Sequence, residues 1–374
     1  MKLFEPITIR GMRVPNRIVY PAIQMNMGLN SRRARAFYAE RAAGGAGLVI
    51  TANTAIDNLA SEEQWDGAQG LADFVGRLRN LTDQVHEAGG KMGLQLWQAN
   101  RFPQGRGTQV SSKEMYPDSG NRIAPSAIED MRELTIPEIE AIIYRFAKGA
   151  RNVRDAGFDC VELHGAHRYL PCQFTNPDLN KRTDKYGGDL AGRMKFGIDL
   201  VTAVRAFVGP DFPVLFRLGA LDIDGVTHPD SITYAQELEK AGVDCLDIST
   251  GGWGKVPVSP VKRNEMGSLV FLAEAIKKAV GIPVIAVGRI NTPEVAEDIL
   301  TKGRADMVAI GRQLICDPFW PKKVRENRFN EVVACDSCNI NCYSPAFERK
   351  LPENPPLCKF NERVGREWEI PAPE

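Results

Sequence analysis

Short runs of apolar and β-branched residues recur along the chain, each followed by a stretch whose apolar positions have helical spacing. The runs are Arg17–Pro21, Gly47–Thr54, Lys91–Leu96, Asp159–His164, Pro213–Leu218, Cys245–Ser249, Pro283–Val287 and Asp306–Ile310. Their character is continuous apolar rather than alternating, as parallel strands buried on both faces require. Between them, Thr135 to Ala156 sets Ile139, Ile142, Ile143, Phe146, Ala147, Ala150 and Val153 on one helical face. Thr135 and Glu138 form a capping box there, with Pro137 in the first turn. Thr292-Pro293-Glu294 opens a further helix that stops at Gly303.

Strands alternating with helices make either a closed (β/α)8 barrel or a doubly wound open sheet. The count of eight strand runs, and the lack of a G-x-G-x-x-G between a strand and a helix, favour an α/β protein with a (β/α)8 TIM barrel over residues 1–330. Arg101 to Leu134 is rich in Gly, Pro, Ser and charge and too long for a plain connection, which predicts an excursion over one barrel mouth. Residues 331–374 carry Pro and Cys with little periodicity. They predict a cysteine-rich, cofactor-binding C-terminal extension rather than a second folded domain.

Composition narrows the function classes. With 43% hydrophobic and 25% charged residues in 374, the chain has the make-up of an ordinary globular protein. Lys+Arg and Asp+Glu both number 47, so no basic excess points to nucleic acid or an anionic membrane. No apolar run approaches the roughly 20 residues needed to span a bilayer, and MKLFEPITIR has neither segment of a secretory signal. A cytoplasmic protein acting on a small molecule is therefore expected. Of the eight cysteines, Cys160 and Cys245 lie in strand runs and read as buried reduced thiols, while Cys172 and Cys316 carry no motif.

Candidate chemistry gathers at the ends of the predicted strands, where a barrel places its active site. His164 and His167 close the fourth run in VELHGAHRYL, with Tyr169 two residues on. For both imidazoles to serve one pocket the chain must turn just after His164, and Gly165 permits that turn. A catalytic pair, a metal site and two structural histidines all suit this pattern. VIAVGR and MVAIGR end the seventh and eighth runs, so Gly288, Arg289, Gly311 and Arg312 predict a phosphate-bearing ligand. Gln95 and Arg217 are polar residues inside apolar runs, which predicts that each reaches a ligand or a partner at the rim. Cys335-x2-Cys338-x3-Cys342, then fifteen residues to Cys358, suits either an iron–sulfur cluster or a tetrahedral zinc.

Taken in order, NRIV (Asn16–Val19), GGAGLVIT (Gly44–Thr51), LQLWQANR (Leu94–Arg101), HGAHRYL (His164–Leu170), NKRTDKYGGDLAGR (Asn180–Arg193), the two G-R loops and the four-cysteine tail resemble the old yellow enzyme superfamily. The likeness is to its iron–sulfur branch, which includes 2,4-dienoyl-CoA reductase, 2-enoate reductase and trimethylamine dehydrogenase. It implies an FMN across the barrel mouth, held by Pro21, Ala22, Ile23, Gln24, Asn53, Gln95, Arg217, Gly288, Arg289, Gly311 and Arg312. It also implies a 4Fe-4S cluster on Cys335, Cys338, Cys342 and Cys358. His164 and His167 would bind a substrate carbonyl while Tyr169 donates a proton, as in an ene-reductase. Trp97 and Trp253 would line the substrate pocket.

The chain departs from that pattern in ways that carry expectations. Gln24 stands where trimethylamine dehydrogenase has the cysteine bonded to its flavin, so a noncovalent FMN is expected. STGGWGK around the sixth run lacks the histidine of dienoyl-CoA reductase, which leaves the substrate open. The chain stops at Glu374, without the FAD- and NAD-binding domains of larger relatives. An external electron donor is therefore expected: a separate flavoprotein reductase or ferredoxin acting through the cluster, or NAD(P)H directly. A homo-oligomer is also implied by the resemblance. An amine dehydrogenase or demethylase is the alternative enzyme, and a non-catalytic flavin and iron–sulfur electron carrier the alternative class.

Overall fold

The computed structural model describes residues 1–25, 27–56, 59, 68–98, 123–128, 131–222, 226–250, 265–339, 342, 357–370 and 372. Eight parallel strands close on themselves: β1 (Ile18–Tyr20), β2 (Leu48–Ile50), β3 (Lys91–Trp97), β4 (Cys160–Gly165), β5 (Val214–Gly219), β6 (Cys245–Ser249), β7 (Val284–Ala286) and β8 (Met307–Ala309). Each strand pairs with its sequence neighbours, and β8 returns to β1 through Val308↔Ile18 and Ala309↔Val19. Five lie within the run predicted for them and β3, β4 and β5 continue one residue past it, because sequence-continuous hydrophobicity marks strands covered on both faces. The helix Ile136–Asp155 forms as expected, with its reciprocal Thr135–Glu138 capping box and with Ile139, Ile142, Phe146 and Val153 buried.

Alternation along the strands sorts the side chains. Val161, Leu163, Phe216, Leu246 and Val308 point outward into the layer shared with the helices. Cys160, Leu215, Cys245, Ile285 and Met307 point inward and fill the bottom of the barrel. An antiparallel hairpin, Ile7–Ile9 with Met12–Val14, packs Ile9, Met12 and Val14 against that inner cluster and plugs the N-terminal mouth. The opposite, C-terminal mouth is left to carry the chemistry.

Two ion networks hold the periphery in place. Arg41 is fully buried in the helix Arg32–Ala43, stacked 3.5 Å from the centre of the Phe37 ring, and donates to Glu367 at 2.8 Å. Arg363 pairs with Glu40 of the same helix, so two cations meet two carboxylates where residues 357–370 dock. A buried set balanced in this way avoids the uncompensated charge that makes burial costly. In the NKRTDKYGG motif, the Arg182 guanidinium donates to the carbonyls of Pro125 at 2.7 Å and Leu134 at 2.6 Å. The motif thus fastens one end of the predicted excursion, whose residues 101–122 and 129–130 lie outside the described residues. Among the described residues, no helix is long and apolar enough to cross a membrane.

Candidate active site

One layer above the apolar floor, the inward positions turn polar. Gln95 of β3, Glu162 of β4, Arg217 of β5 and Asp247 of β6 are all buried, the two carboxylates completely. Strand register brings them together: Gln95 is paired with Glu162, and Arg217 with Asp247. The Gln95 amide donates to Glu162 Oε2, and the Arg217 guanidinium lies 3.4 Å from Asp247 Oδ2. Burial holds the Glu162 carboxyl well above the ordinary range, to about 8, with the neighbouring charge of Asp247 adding to the rise and Arg217 opposing it. Burial likewise raises Asp247, against the pull of Arg217. Gln95 and Arg217 were legible as polar residues in apolar runs. Glu162 and Asp247 were missed, although each precedes an inward residue, His164 and Ser249, by two positions and so shares its face.

The rim above this layer is built by the end of β4. His164 is its penultimate residue, and His167 is swung back over it, Nδ1 lying 3.4 Å from His164 Nε2. The other ring nitrogen of His167 meets Ser249 Oγ at 2.8 Å, which ties the imidazole to the end of β6. The reversal is not made where the sequence suggested. Gly165 is still strand, and its glycine is needed because a Cβ would stand 2.2 Å from the Phe216 ring. His167 and Arg168 make the turn instead, at φ 55° and 59°, in the left-handed region where side chains are costly. Asp222, 3.6 Å from Arg168 Nε, and Gln173, donating to the Arg168 carbonyl at 2.8 Å, brace that backbone.

Tyr169 follows as the N-cap of the helix Leu170–Thr175. Its ring meets His164 edge-on at 4.4 Å between centroids and Trp97, the last residue of β3, at 4.8 Å. His164, His167, Tyr169 and Trp97 therefore converge on one side of the mouth. Trp253 lies outside the described residues.

The other expected ligand-holding residues ring the same mouth. Pro21 to Gln24 continue from β1, and Ala52 and Asn53 follow β2. Gly311, after β8, approaches β1 so closely that a Cβ would stand 2.6 Å from Ile23 Cδ1 and 3.5 Å from Pro21. Gly288, after β7, has φ +126°, and a Cβ there would stand 2.8 Å from the Leu269 nitrogen. Arg289 also adopts a positive φ of 52°. Arg217 Nε is buried with no hydrogen-bond partner among the described residues. Bare backbone at the seventh and eighth strand ends, with an uncommitted cationic N–H below, fits a flavin mononucleotide: backbone for its phosphate, a cation for its pyrimidine edge.

Residues 2–331 match the family described as NADH:flavin oxidoreductase / NADH oxidase. The chain belongs to that family. It is 39% identical over 383 residues to an NADH oxidase of Thermoanaerobacter brockii, an alignment covering 98% of this chain and 56% of that protein. It is 37% identical over 333 residues to an NADPH dehydrogenase of a Geobacillus species, covering 85% of this chain and 92% of the relative. Among solved structures it is similar to a 2-naphthoyl-CoA reductase in complex with 2-naphthoyl-CoA, with a TM-score of 0.84 at 30% identity over 98% of this chain and 58% of that one. The chain thus spans little more than half the length of two of these proteins. As a member of the family it is a flavin-dependent oxidoreductase of the old yellow enzyme superfamily, with FMN as its cofactor.

In this flavoenzyme the tail is stitched to the strand-eight loop. Gln313 donates to the Val333 carbonyl at 2.8 Å and accepts from the Cys335 N–H at 2.9 Å. Arg312 donates to Asn339 Oδ1 at 2.7 Å, so its guanidinium is directed to the tail as well as following the expected phosphate glycine. Cys342 is pushed up to about 11, first by burial and then by the charges of Cys335 and Cys358, which marks these sulfurs as electrostatic neighbours. Cys316, which carried no motif, hydrogen-bonds with Cys358. Among the described residues, no group of three or more His, Cys, Asp and Glu is arranged to hold a metal ion.

Proposed function

We propose that this flavin oxidoreductase is an ene-reductase, saturating the C=C bond of an α,β-unsaturated carbonyl compound or thioester. The observation that carries the reading is the convergence of His164, His167 and Tyr169 on one side of the mouth, above the Gln95–Arg217 layer. FMN, when bound, supplies the hydride that goes to the β-carbon. The chain's own residues do the rest. His164 and His167 hydrogen-bond the carbonyl oxygen, draw electron density from the double bond and hold the enolate-like charge. Ser249 keeps the His167 ring in its orientation. Tyr169 gives its phenolic proton to the α-carbon, and Trp97 closes the wall beside it. Arg217 and Gln95 set the charge and polarity under the pyrimidine edge of the flavin. Likeness to a reductase of a conjugated thioester supports this substrate class.

The test is anaerobic. Reduced enzyme is mixed with enones or enoyl-CoA esters, and oxidised enzyme with methylated amines, while flavin absorbance is followed. Rapid recovery of the oxidised spectrum with an enone is the expected result. No response to any unsaturated carbonyl, together with bleaching by an amine, would transfer the protein to the amine-dehydrogenase reading.

We further propose that residues 331–374 form an extension, beyond a barrel of residues 1–330, in which Cys335, Cys338, Cys342 and Cys358 bind a 4Fe-4S cluster. Its role would be to accept electrons from an external donor, with NAD(P)H acting directly on the flavin as the competing route. The chemistry of three thiols within eight residues and a fourth further along the tail supports it. Cys338→Ala should remove the broad visible absorption of the cluster and its iron while leaving flavin content intact. One equivalent of zinc and no iron in the wild-type protein would overturn the cluster.

A further inference from the structure

Two carboxylates and one guanidinium share the buried layer beneath the mouth, and that imbalance has a chemical consequence. Glu162 and Asp247 are both fully buried, and among the described residues Arg217 is the cation that acts on both. Were both acids ionised, this buried layer would carry more negative than positive charge away from bulk solvent. Geometry divides the roles. Arg217 pairs with Asp247 across their register match, while Glu162 receives only the neutral Gln95 amide, and its Oε1 has no hydrogen-bond partner among the described residues.

We propose that Glu162 is a positioning residue that holds one exchangeable proton for the flavin site and takes it up when the flavin above is reduced in alkaline solution. It acts through Gln95 and Arg217 rather than by touching substrate, and the proposal rests on the FMN reading above. The groups facing it are Gln95 from β3, Arg217 from β5, Asp247 and Cys245 from β6, and Cys160 and His164 on its own strand. Both thiols are raised by burial, so they stay neutral. The facing positions of β7 and β8, Ile285, Met307 and Ala309, are apolar. Asp247 is thus the fixed anion and Glu162 the site free to exchange a proton.

Glu162 has a second effect. The amide of Gln95 has two N–H groups, and committing one to Glu162 fixes its orientation, leaving the carbonyl oxygen and one N–H for a ligand. The proton balance is simple. Below the pH at which Glu162 ionises, its carboxyl is protonated before and after two electrons enter the flavin from an external reductant such as dithionite. Above that pH it is a carboxylate in the oxidised enzyme, and the extra negative charge of the reduced flavin draws one solvent proton onto it.

The experiment is a spectroelectrochemical titration of the FMN-loaded protein as a function of pH. The wild-type midpoint potential should fall more steeply above about pH 8, where the carboxyl ionises, by about 30 mV per pH, the two-electron worth of a tenfold change in an equilibrium constant. Glu162→Gln should bind FMN and give a line without that break. Asp247→Asn should move the break to lower pH, because Arg217 then serves Glu162 alone. In alkaline solution, the reduced-minus-oxidised infrared spectrum of the wild type should gain a carboxylic-acid C=O band that is absent from Glu162→Gln. A break that survives in Glu162→Gln, or an Asp247→Asn profile unchanged from wild type, overturns the proposal. Purified protein without flavin absorbance would instead overturn the FMN reading, so the two failures are distinct.

Discussion

Tyr169→Phe should slow reoxidation of the reduced flavin by an enone about a hundredfold or more, the usual worth of a positioned general acid, equivalent to about 2.7 kcal/mol of barrier. The substitution removes the phenolic oxygen and keeps the ring. The ring packs by its edges against His164 and Trp97, and phenylalanine retains both contacts. The backbone that caps Leu170–Thr175 is also unaffected, because no side-chain hydrogen bond supports that cap. Flavin content and thermal unfolding should therefore match the wild type, and the loss should fall on the step that follows substrate binding. Stopped-flow reoxidation checks it. Unchanged reoxidation would strip Tyr169 of the proton-donor role and leave it as pocket wall.

Arg217→Met has the larger structural effect. It keeps a side chain of similar length but removes the cation paired with buried Asp247 and the one that holds Glu162 down, a change expected to cost about 3–5 kcal/mol. The deficit should depend on pH with a definite sign. Burial raises Asp247 and Glu162 while Arg217 lowers both, so removing the cation leaves them raised further. A carboxyl whose folded pKa exceeds its unfolded value contributes stability that is fully present below the unfolded pKa and lost as pH rises through the folded pKa. The gap in unfolding free energy between variant and wild type should accordingly be constant at acid pH and widen as pH rises through the wild-type folded values, which lie above the ordinary carboxylate range and reach about 8 for Glu162. Flavin retention should fall with it, since the cation under the pyrimidine edge is gone. Denaturant unfolding across pH, with flavin absorbance followed in parallel, checks both. A gap that narrows towards alkaline pH would show that Arg217 does not compensate these acids.

The barrel was legible because its strands announce themselves locally. VIAV before Gly288 and MVAI before Gly311 are short, unbroken and apolar, and nothing else buried on both faces looks like that. Gln95, Arg217, His164 and His167 stood out for the complementary reason, that polar groups which interrupt or end an apolar run need a partner, whereas Tyr169 stood out through the resemblance. Glu162 and Asp247 escaped because VELH and LDIS read locally as ordinary strand ends, and their meaning arises from cross-strand register. Gly165 was misread for a similar reason. Its neighbour Phe216 is distant in sequence and close in space, so what resembled a hinge is a contact that excludes a Cβ.

From its residues alone, then, this chain determined where apolar strands and capped helices form, because those follow from burial and hydrogen bonding within a few neighbours. Which inward side chains share a layer was decided by closure of the barrel, whose registers bring Gln95 to Glu162 and Arg217 to Asp247. The left-handed turn at His167 and Arg168 was decided in the same way, by anchors at Asp222 and Ser249 that the local sequence does not contain. Electrostatic coupling and steric exclusion act through space, so they exist only once the chain has closed.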